Sequence, residues 1–232
     1  LHTVPYIDHH ENPEALLEAA ARHTARLVYL SNPDNPMGTS LPADAVQSMI
    51  EQLPADCVLL LDEAYAEFMS DHQPPALDMD NPQVLRYRTF SKAYGMAGMR
   101  IGYVMGNAEV IAGFNRIRNH FAVNRLAQIA AEASLRDADM LPRVMQQVNQ
   151  GRQRIYDLAD ELQLPWLRSS TNFVAVDLGS AARANELLQK LEQAGIFLRK
   201  PMVAPHDSFL RIGVGTEEEH ALFAEQFKRL LG

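Results

Sequence analysis

The stretch VLRYRTFSKAYGMAGMRIGYVM (84–105) contains two short segments of strand pattern that are separated by a loop with two glycines and several polar side chains. The segments 84–90 and 101–105 have the length and the aromatic and β-branched content that are typical of strands. Lys92 follows the first segment closely, and Arg100 directly precedes the second. The stretch therefore predicts two strands whose connecting loop presents two cationic side chains at the edge of a sheet.

Upstream of this stretch, apolar segments alternate with segments of helical pattern. We expect helices over 12–23 and 42–53, and strands over 26–31 and 57–65, while the opening residues 1–6 have the pattern of a short strand. Strands that alternate with helices are typical of an α/β fold, in which a mostly parallel sheet is sandwiched by helices.

Downstream of it, helical pattern dominates residues 107–163 and ends in one long predicted helix, 139–163. A second run of mixed elements follows. These elements are a strand at 172–178, a helix at 181–194, strands near 196–199 and 209–214, and a helix at 216–231. The sequence thus predicts a large domain over 1–145 and a smaller α+β carboxyl-terminal domain over 146–232.

The bulk composition argues against several classes of protein. The chain has 232 residues, 21 lysines and arginines and 29 acidic residues, which gives a net charge of −8 and disfavours a nucleic-acid partner. No apolar run reaches membrane-spanning length. Cys57 is the only cysteine, which fits a reducing compartment such as the cytoplasm. The pair His9 and His10 has no further ligand at metal-binding spacing, so we expect no metal site.

Polar side chains follow three of the predicted strands. Asn35 comes after the first, Asp62 and Tyr65 come after the second, and Ser91 and Lys92 come after the third. In open α/β sheets, ligands bind at the carboxyl ends of the strands. An amide, a carboxylate, a phenol and an amine at one such edge predict a ligand site.

The chemistry of these groups favours pyridoxal 5'-phosphate (PLP). The Lys92 amine can form a Schiff base with a carbonyl cofactor. The Asp62 carboxylate, at the end of an apolar strand, can hold the proton on a pyridine nitrogen, which makes the ring an electron sink. The side chains that could contact the phosphate or the ring hydroxyl are Arg100, Thr89, Ser91, Asn35 and Tyr65.

Three segments carry a family resemblance. NPDNPMG (32–38), DEAY (62–65) and TFSKAYGMAGMRIGY (89–103) resemble the signature motifs of fold-type I PLP-dependent aminotransferases of class I/II. Within that superfamily, DEAYAEF (62–68) and FLRIGVGTEEE (209–219) are most similar to histidinol-phosphate aminotransferases. The resemblance implies the PLP-dependent transferase fold and a PLP cofactor.

The resemblance also implies roles for individual residues. Lys92 matches the lysine that holds the cofactor and moves the proton, with Asp62 as the ring-nitrogen partner and Tyr65 as a third catalytic position. Asn35 matches a contact to the ring hydroxyl at the substrate side, and Arg211 matches the arginine that binds the substrate carboxylate, for which its bidentate geometry is suited. The positions that match phosphate contacts are Thr89, Ser91 and Arg100.

The implied activity moves an amino group between an amino acid or histidinol phosphate and 2-oxoglutarate, within histidine biosynthesis. The implied assembly is a cytoplasmic homodimer. Because the family's other phosphate loop, its ring-stacking aromatic and a tyrosine from the partner subunit all precede the matched segments, we expect an amino-terminal part to be missing before Leu1. Met37 stands where the family usually has threonine.

Two other functions remain open from the residues. A decarboxylase of a phosphorylated amino acid uses the same scaffold, and a PLP-sensing regulatory domain attached to a DNA-binding module uses the same cofactor. At the level of single residues, Arg211 could form a structural ion pair instead of binding substrate. Lys92 by itself would be an ordinary surface lysine, and only its motif context favours the catalytic role.

Overall fold

The computed structural model describes residues 1–231, which divide into two compact units. Unit 1 comprises Leu1–Asp34 and Ser40–Arg143, and unit 2 comprises Asn35–Thr39 and Val144–Gly232. The chain therefore leaves unit 1 for five residues, returns to it, and passes into unit 2 a second time after Arg143.

The sheet of unit 1 has four strands in sequence order. β1, β2 and β3 pair in parallel, and β4 runs antiparallel to β3. The strands are β1 (Leu27–Ser31), β2 (Val58–Asp62), β3 (Val84–Thr89) and β4 (Gly102–Gly106). Together with the helices between the strands, this mostly parallel sheet confirms the predicted α/β class.

The helices of unit 1 begin at polar caps or at proline. The Asn12 side chain accepts a hydrogen bond from the amide of Ala15 at 3.2 Å and caps α1, and Asn107 and Asn124 cap α3 and α4 in the same way. The helices are α1 (Pro13–Arg22), α2 (Ala43–Glu51), α3 (Ala108–Phe114) and α4 (Arg125–Arg136). Within residues 1–231, no helix combines the length and the apolar character that crossing a membrane requires.

Unit 2 contains a two-stranded sheet and three helices around its own core. β5 and β6 pair antiparallel, and buried side chains such as Ile155, Leu187 and Phe227 pack in that core. The elements are α5 (Met140–Glu161), which starts four residues before the unit boundary, β5 (Phe173–Asp177), α6 (Ala181–Gln193), β6 (Phe209–Gly213) and α7 (Glu217–Leu231).

The five-residue segment Asn35–Thr39 is built into unit 2 by close contacts. The carbonyl of Gly38 accepts a hydrogen bond from the amide of Ser170 at 2.7 Å. Gly38 has φ +81°, and a Cβ there would lie 2.9 Å from Oγ of Ser169, so only glycine fits. The buried guanidinium of Arg152 supports the same region, because it donates to the carbonyl of Ser169 at 2.5 Å.

Two element predictions were wrong. Residues 1–6 form no strand, since they have no ladder partner among residues 1–231 and Pro5 cannot donate a backbone bond. Residues 196–199 meet β6 only through a single bridge from Arg199, and Pro201 follows at once. The predicted helical region 107–163 is confirmed and contains three helices, with breaks at 115–124 and 137–139, and the predicted long helix over 139–163 is α5.

Candidate functional site

The carboxyl ends of β1, β2 and β3 meet at one edge of the unit 1 sheet. Ser31 lies opposite Asp62, and Asp62 lies opposite Tyr87. The loop from β3 to β4 begins and ends at this same edge, because β4 is antiparallel to β3. Lys92 and Arg100 lie in this loop, so the predicted acidic and cationic residues of unit 1 share one edge.

Hydrogen bonds fix both oxygens of the half-buried Asp62 carboxylate. Oδ2 accepts from the hydroxyl of Tyr29 at 2.7 Å, and Oδ1 accepts from the amide of Ala64 at 2.9 Å. The sequence reasoning missed Tyr29. Strand alternation offered a signal, because Tyr29 lies two residues before Ser31 on the same face of β1 and Ser31 is the partner of Asp62.

Lys92 lies against Tyr65. Its Nζ is 5.1 Å from the centroid of the buried Tyr65 ring, which is within the range of a cation–π contact. Across residues 1–231, no carboxylate comes within ion-pair distance of this half-buried ammonium. The amine is therefore held against an aromatic face and forms no ion pair with the described residues.

The predicted phosphate contacts lie around the same loop. Oγ1 of Thr89 accepts a hydrogen bond from the amide of Ser91 at 3.0 Å, which turns the chain at the end of β3. Arg100 has a left-handed backbone with φ +54°, and its Nη1 donates to the carbonyl of Ala97 at 2.8 Å. The exposed Arg100 guanidinium pairs with no carboxylate of the described chain, so its other donors are available to an anion.

Unit 2 brings two further predicted residues together. Nη1 of Arg211, on β6, donates to Oδ1 of Asn35 at 2.5 Å, and the guanidinium carbon lies 4.7 Å from the ring centroid of Phe173. Arg211 has no ion pair with any Asp or Glu of residues 1–231. The structural ion pair considered for Arg211 is thus not formed within these residues. Phe173, which supports the guanidinium, was not predicted as a site residue.

A buried charge cluster directly follows Asp62 in the chain. The carboxylate of Glu63 is 2.6 Å from Nη2 of Arg86 and 3.0 Å from Nε of Arg88, and Arg88 also approaches Glu67 at 3.6 Å. The side chains of Glu63 and Arg86 are only 1% and 5% exposed. Burial raises the pKa of Glu67, and Arg88 partly opposes that rise. The cluster anchors the segment that contains Asp62 and Tyr65 to β3.

Glu11 is an unusual acid near the end of β1. Its carboxylate accepts a hydrogen bond from the amide of Ser31 at 3.1 Å. Burial, followed by repulsion from Asp34, raises the pKa of Glu11 to about 8, against the lowering effect of the Ser31 bond. The folded chain therefore keeps a proton on Glu11 at neutral pH, which the unfolded chain has already lost.

This raised pKa predicts a pH dependence of stability. Between pH 4.5 and 8 the folded state binds more protons than the unfolded state, so the free energy of unfolding falls as pH rises through that window. Glu11→Gln should remove this decline, which is on the order of 1–3 kcal/mol after allowance for solvent screening. Urea unfolding at pH 5, 6.5 and 8 measures it. Glu14→Gln, an exposed change at the start of α1, is the control. Equal pH slopes for Glu11→Gln and the unaltered chain would contradict the assignment.

The α/β sheet of unit 1 carries a lysine without an ion-pair partner and a fixed carboxylate at its carboxyl edge, and comparison with known proteins identifies the family. The profile of aminotransferase class I and II matches residues 2–227. The chain belongs to this family, so the predicted resemblance is confirmed.

Individual relatives agree with that assignment. A histidinol-phosphate aminotransferase 2 of Pseudomonas aeruginosa is 38% identical over 94% of this chain and 59% of its own length, and a histidinol-phosphate aminotransferase of Moorella thermoacetica is 34% identical over 94% and 57%. The crystal structure of histidinol-phosphate aminotransferase from Sinorhizobium meliloti in complex with pyridoxal-5'-phosphate is 44% identical, with a TM-score of 0.96 over 99% of this chain and 64% of that one. The chain thus spans about three fifths of the length of these relatives.

Proposed function

We propose that this chain is the lysine-bearing part of a PLP-dependent aminotransferase. The observation that supports this most directly is Lys92, whose amine lies over Tyr65 without a carboxylate partner among residues 1–231, at the sheet edge where Asp62 also ends its strand. The similarity to a histidinol-phosphate aminotransferase crystallised with PLP supports the same cofactor.

The donor set of unit 1 fits PLP. The cofactor needs an amine for its aldehyde, a carboxylate for its ring nitrogen and donors for its phosphate. Lys92 has no competing ion pair, the Asp62 carboxylate is held by two donors but keeps lone pairs, and Arg100 has spare donors. Each requirement of the cofactor has a matching group at this edge of the sheet.

PLP, when bound, supplies an aldehyde that condenses with amines and a ring that accepts electrons. The other tasks belong to the chain. Lys92 binds the cofactor and moves a proton to and from the substrate carbon, and Asp62 holds the proton on the ring nitrogen. Arg100, with the hydroxyls of Thr89 and Ser91, binds the phosphate. Tyr65 orients Lys92 and, with Asn35, donates to the ring hydroxyl.

For the substrate, we propose histidinol phosphate as amino donor and 2-oxoglutarate with glutamate as the recycling pair, as in histidine biosynthesis. Arg211 binds the anionic group of the substrate, because its guanidinium is oriented by Asn35 and Phe173 and lacks an acidic partner in the described chain. Arg199 and Lys200 are further candidates for the substrate phosphate. The backbone of Arg199 forms an antiparallel β-bridge with that of Arg211, and Nζ of Lys200 donates to the carbonyl of Asp207 at 2.7 Å.

We also propose that the protein is a homodimer in the cytoplasm. Its small-molecule partners are its two substrates, an amino donor and a 2-oxo acid. Family membership supports the dimer, and the single cysteine, Cys57, fits a reducing compartment such as the cytoplasm. No feature of the described residues favours the decarboxylase or the regulatory domain over the aminotransferase, so neither is proposed.

The test is a side-by-side assay of the protein and its Arg211→Ala variant with histidinol phosphate, aromatic amino acids and O-phosphothreonine. We expect histidinol phosphate to be the best amino donor. Arg211→Ala should lower kcat/KM by the equivalent of about 2–4 kcal/mol, because the anionic group of the substrate loses its guanidinium partner. It should leave PLP affinity intact. Arg229→Ala, on the exposed face of α7, is the control.

Three results would change the proposal. Turnover of aromatic amino acids alone would indicate a general aromatic aminotransferase. Release of carbon dioxide from O-phosphothreonine would indicate a decarboxylase. A loss of PLP affinity in Arg211→Ala with unchanged substrate affinity would move Arg211 from the substrate site to the cofactor site.

A further inference from the structure

Tyr29 is an exposed aromatic residue with a well-defined polar contact. Its side chain on β1 is 54% exposed, yet its hydroxyl lies 2.7 Å from Oδ2 of Asp62. In the parallel ladder Tyr29 pairs with Leu60, two residues before Asp62, so the two side chains are diagonal neighbours on one face of the sheet. The side chain is thus only partly packed, and its hydroxyl is held by the Asp62 carboxylate.

We propose that Tyr29 is a positioning residue that orients the Asp62 carboxylate toward the ring nitrogen of the cofactor. The inference rests on the proposed function, since it assumes that Asp62 is the partner of that nitrogen. Tyr29 does not touch the reacting atoms, and it acts only through Asp62.

The geometry of the carboxylate supports this role. An ionised carboxylate offers about four lone-pair sites. The Tyr29 hydroxyl occupies one on Oδ2, and the amide of Ala64 occupies one on Oδ1. Two donors on different oxygens fix the rotation of the carboxylate plane and leave sites free for a third donor. A group held in this way before the ligand arrives needs no reorganisation on binding.

The phenol is also suited to remain a donor. Burial, and then the bond to Asp62, raise the pKa of Tyr29, and Glu11 acts in the same direction. Only the Ser31 side chain acts in the opposite direction. Among the groups that face it, Tyr29 therefore stays protonated across the neutral range and keeps donating to Asp62.

The test compares Tyr29→Phe with Tyr6→Phe. Both changes remove a phenol–carboxylate hydrogen bond from unit 1, but the Tyr6 hydroxyl donates to Asp34 at 2.9 Å rather than to Asp62. In the PLP-loaded protein, Tyr29→Phe should lower kcat by about three- to tenfold with little change in KM. It should also move the ¹⁵N resonance of the labelled ring nitrogen toward its neutral form. Tyr6→Phe should do neither.

Two further measurements separate positioning from a general structural effect. In an Asp62→Asn background, Tyr29→Phe should have no additional effect on kcat, because the residue through which it acts is already disabled. In the protein without cofactor, Asp62→Asn should lower the pKa of the Tyr29 phenol, followed by NMR of ¹³C-labelled tyrosine. That readout does not depend on activity.

The outcomes distinguish the two proposals. If Asp62→Asn impairs catalysis while Tyr29→Phe changes neither kcat nor the ¹⁵N resonance, the positioning role is wrong and the proposed function stands. If Tyr29→Phe and Asp62→Asn effects simply multiply, Tyr29 acts independently of Asp62 and the positioning role is again wrong. If the unaltered protein binds no PLP, the proposed function fails and the role of Tyr29 fails with it.

Discussion

Replacing Lys92 with alanine is expected to abolish amino transfer, with kcat falling by at least about four orders of magnitude. The loss should be this large because one side chain performs two tasks, the covalent attachment of the cofactor and the movement of the proton. Steady-state kinetics measures the loss. In the unaltered protein, borohydride reduction followed by peptide mapping should place the cofactor label on Lys92.

Two controls make this prediction specific. Lys190→Ala removes an exposed lysine of α6 that pairs with Glu186, and it should leave turnover unchanged. Lys92→Arg keeps the positive charge over Tyr65 but cannot form a Schiff base, so it should be as inactive as Lys92→Ala. Substantial activity in Lys92→Arg, or a borohydride label on another lysine, would show that Lys92 is not the cofactor lysine.

Replacing Glu63 with glutamine should lower the free energy of unfolding by about 3–5 kcal/mol, the typical cost of breaking a buried ion pair from one side. The change keeps the size of the side chain but leaves the Arg86 guanidinium, 5% exposed, without a compensating charge. Nε of Arg86 is already buried without a hydrogen-bond partner among the described residues, so water cannot readily replace the lost contact. Urea unfolding followed by circular dichroism measures the effect.

Glu132→Gln, which breaks an exposed pair with Arg136 on α4, should change stability little. A second check uses Arg86→Leu alone and combined with Glu63→Gln. If the two residues are coupled as their 2.6 Å contact implies, the double variant should be less destabilised than the sum of the single changes. Additive effects would mean that Glu63 is stabilised mainly by Arg88.

The sequence predicted the central elements of unit 1 well, for a local reason. β1 and β2 are short, mostly apolar runs, β3 adds aromatic and β-branched side chains to its two arginines, and all three lie near turn residues, so their strand pattern depends little on distant context. Residues 1–6 show the limit of this reasoning. They have a strand-like pattern, but a strand also requires a neighbour with which to exchange backbone hydrogen bonds, and no local pattern reveals that neighbour.

The candidate site shows the same division between local and distant information. Its loop motifs identified Asp62 and Lys92, and family membership supports their proposed roles, which remain predictions. Tyr29 and Phe173 were missed because their significance depends on which side chain lies across a strand or beneath a guanidinium. Those contacts depend on register and on three-dimensional packing, which composition and spacing along the chain do not specify.

The bond between Asn35 and Arg211 also has a consequence for how the protein folds. The two residues are 176 positions apart in the chain, and both belong to unit 2. Closing so long a loop costs conformational entropy before any contact compensates for it, so such pairings form late. On the ribosome, Asn35 emerges long before Arg211 has been synthesised. We therefore expect the Asn35–Thr39 segment to gain hydrogen-exchange protection among the last parts of the chain.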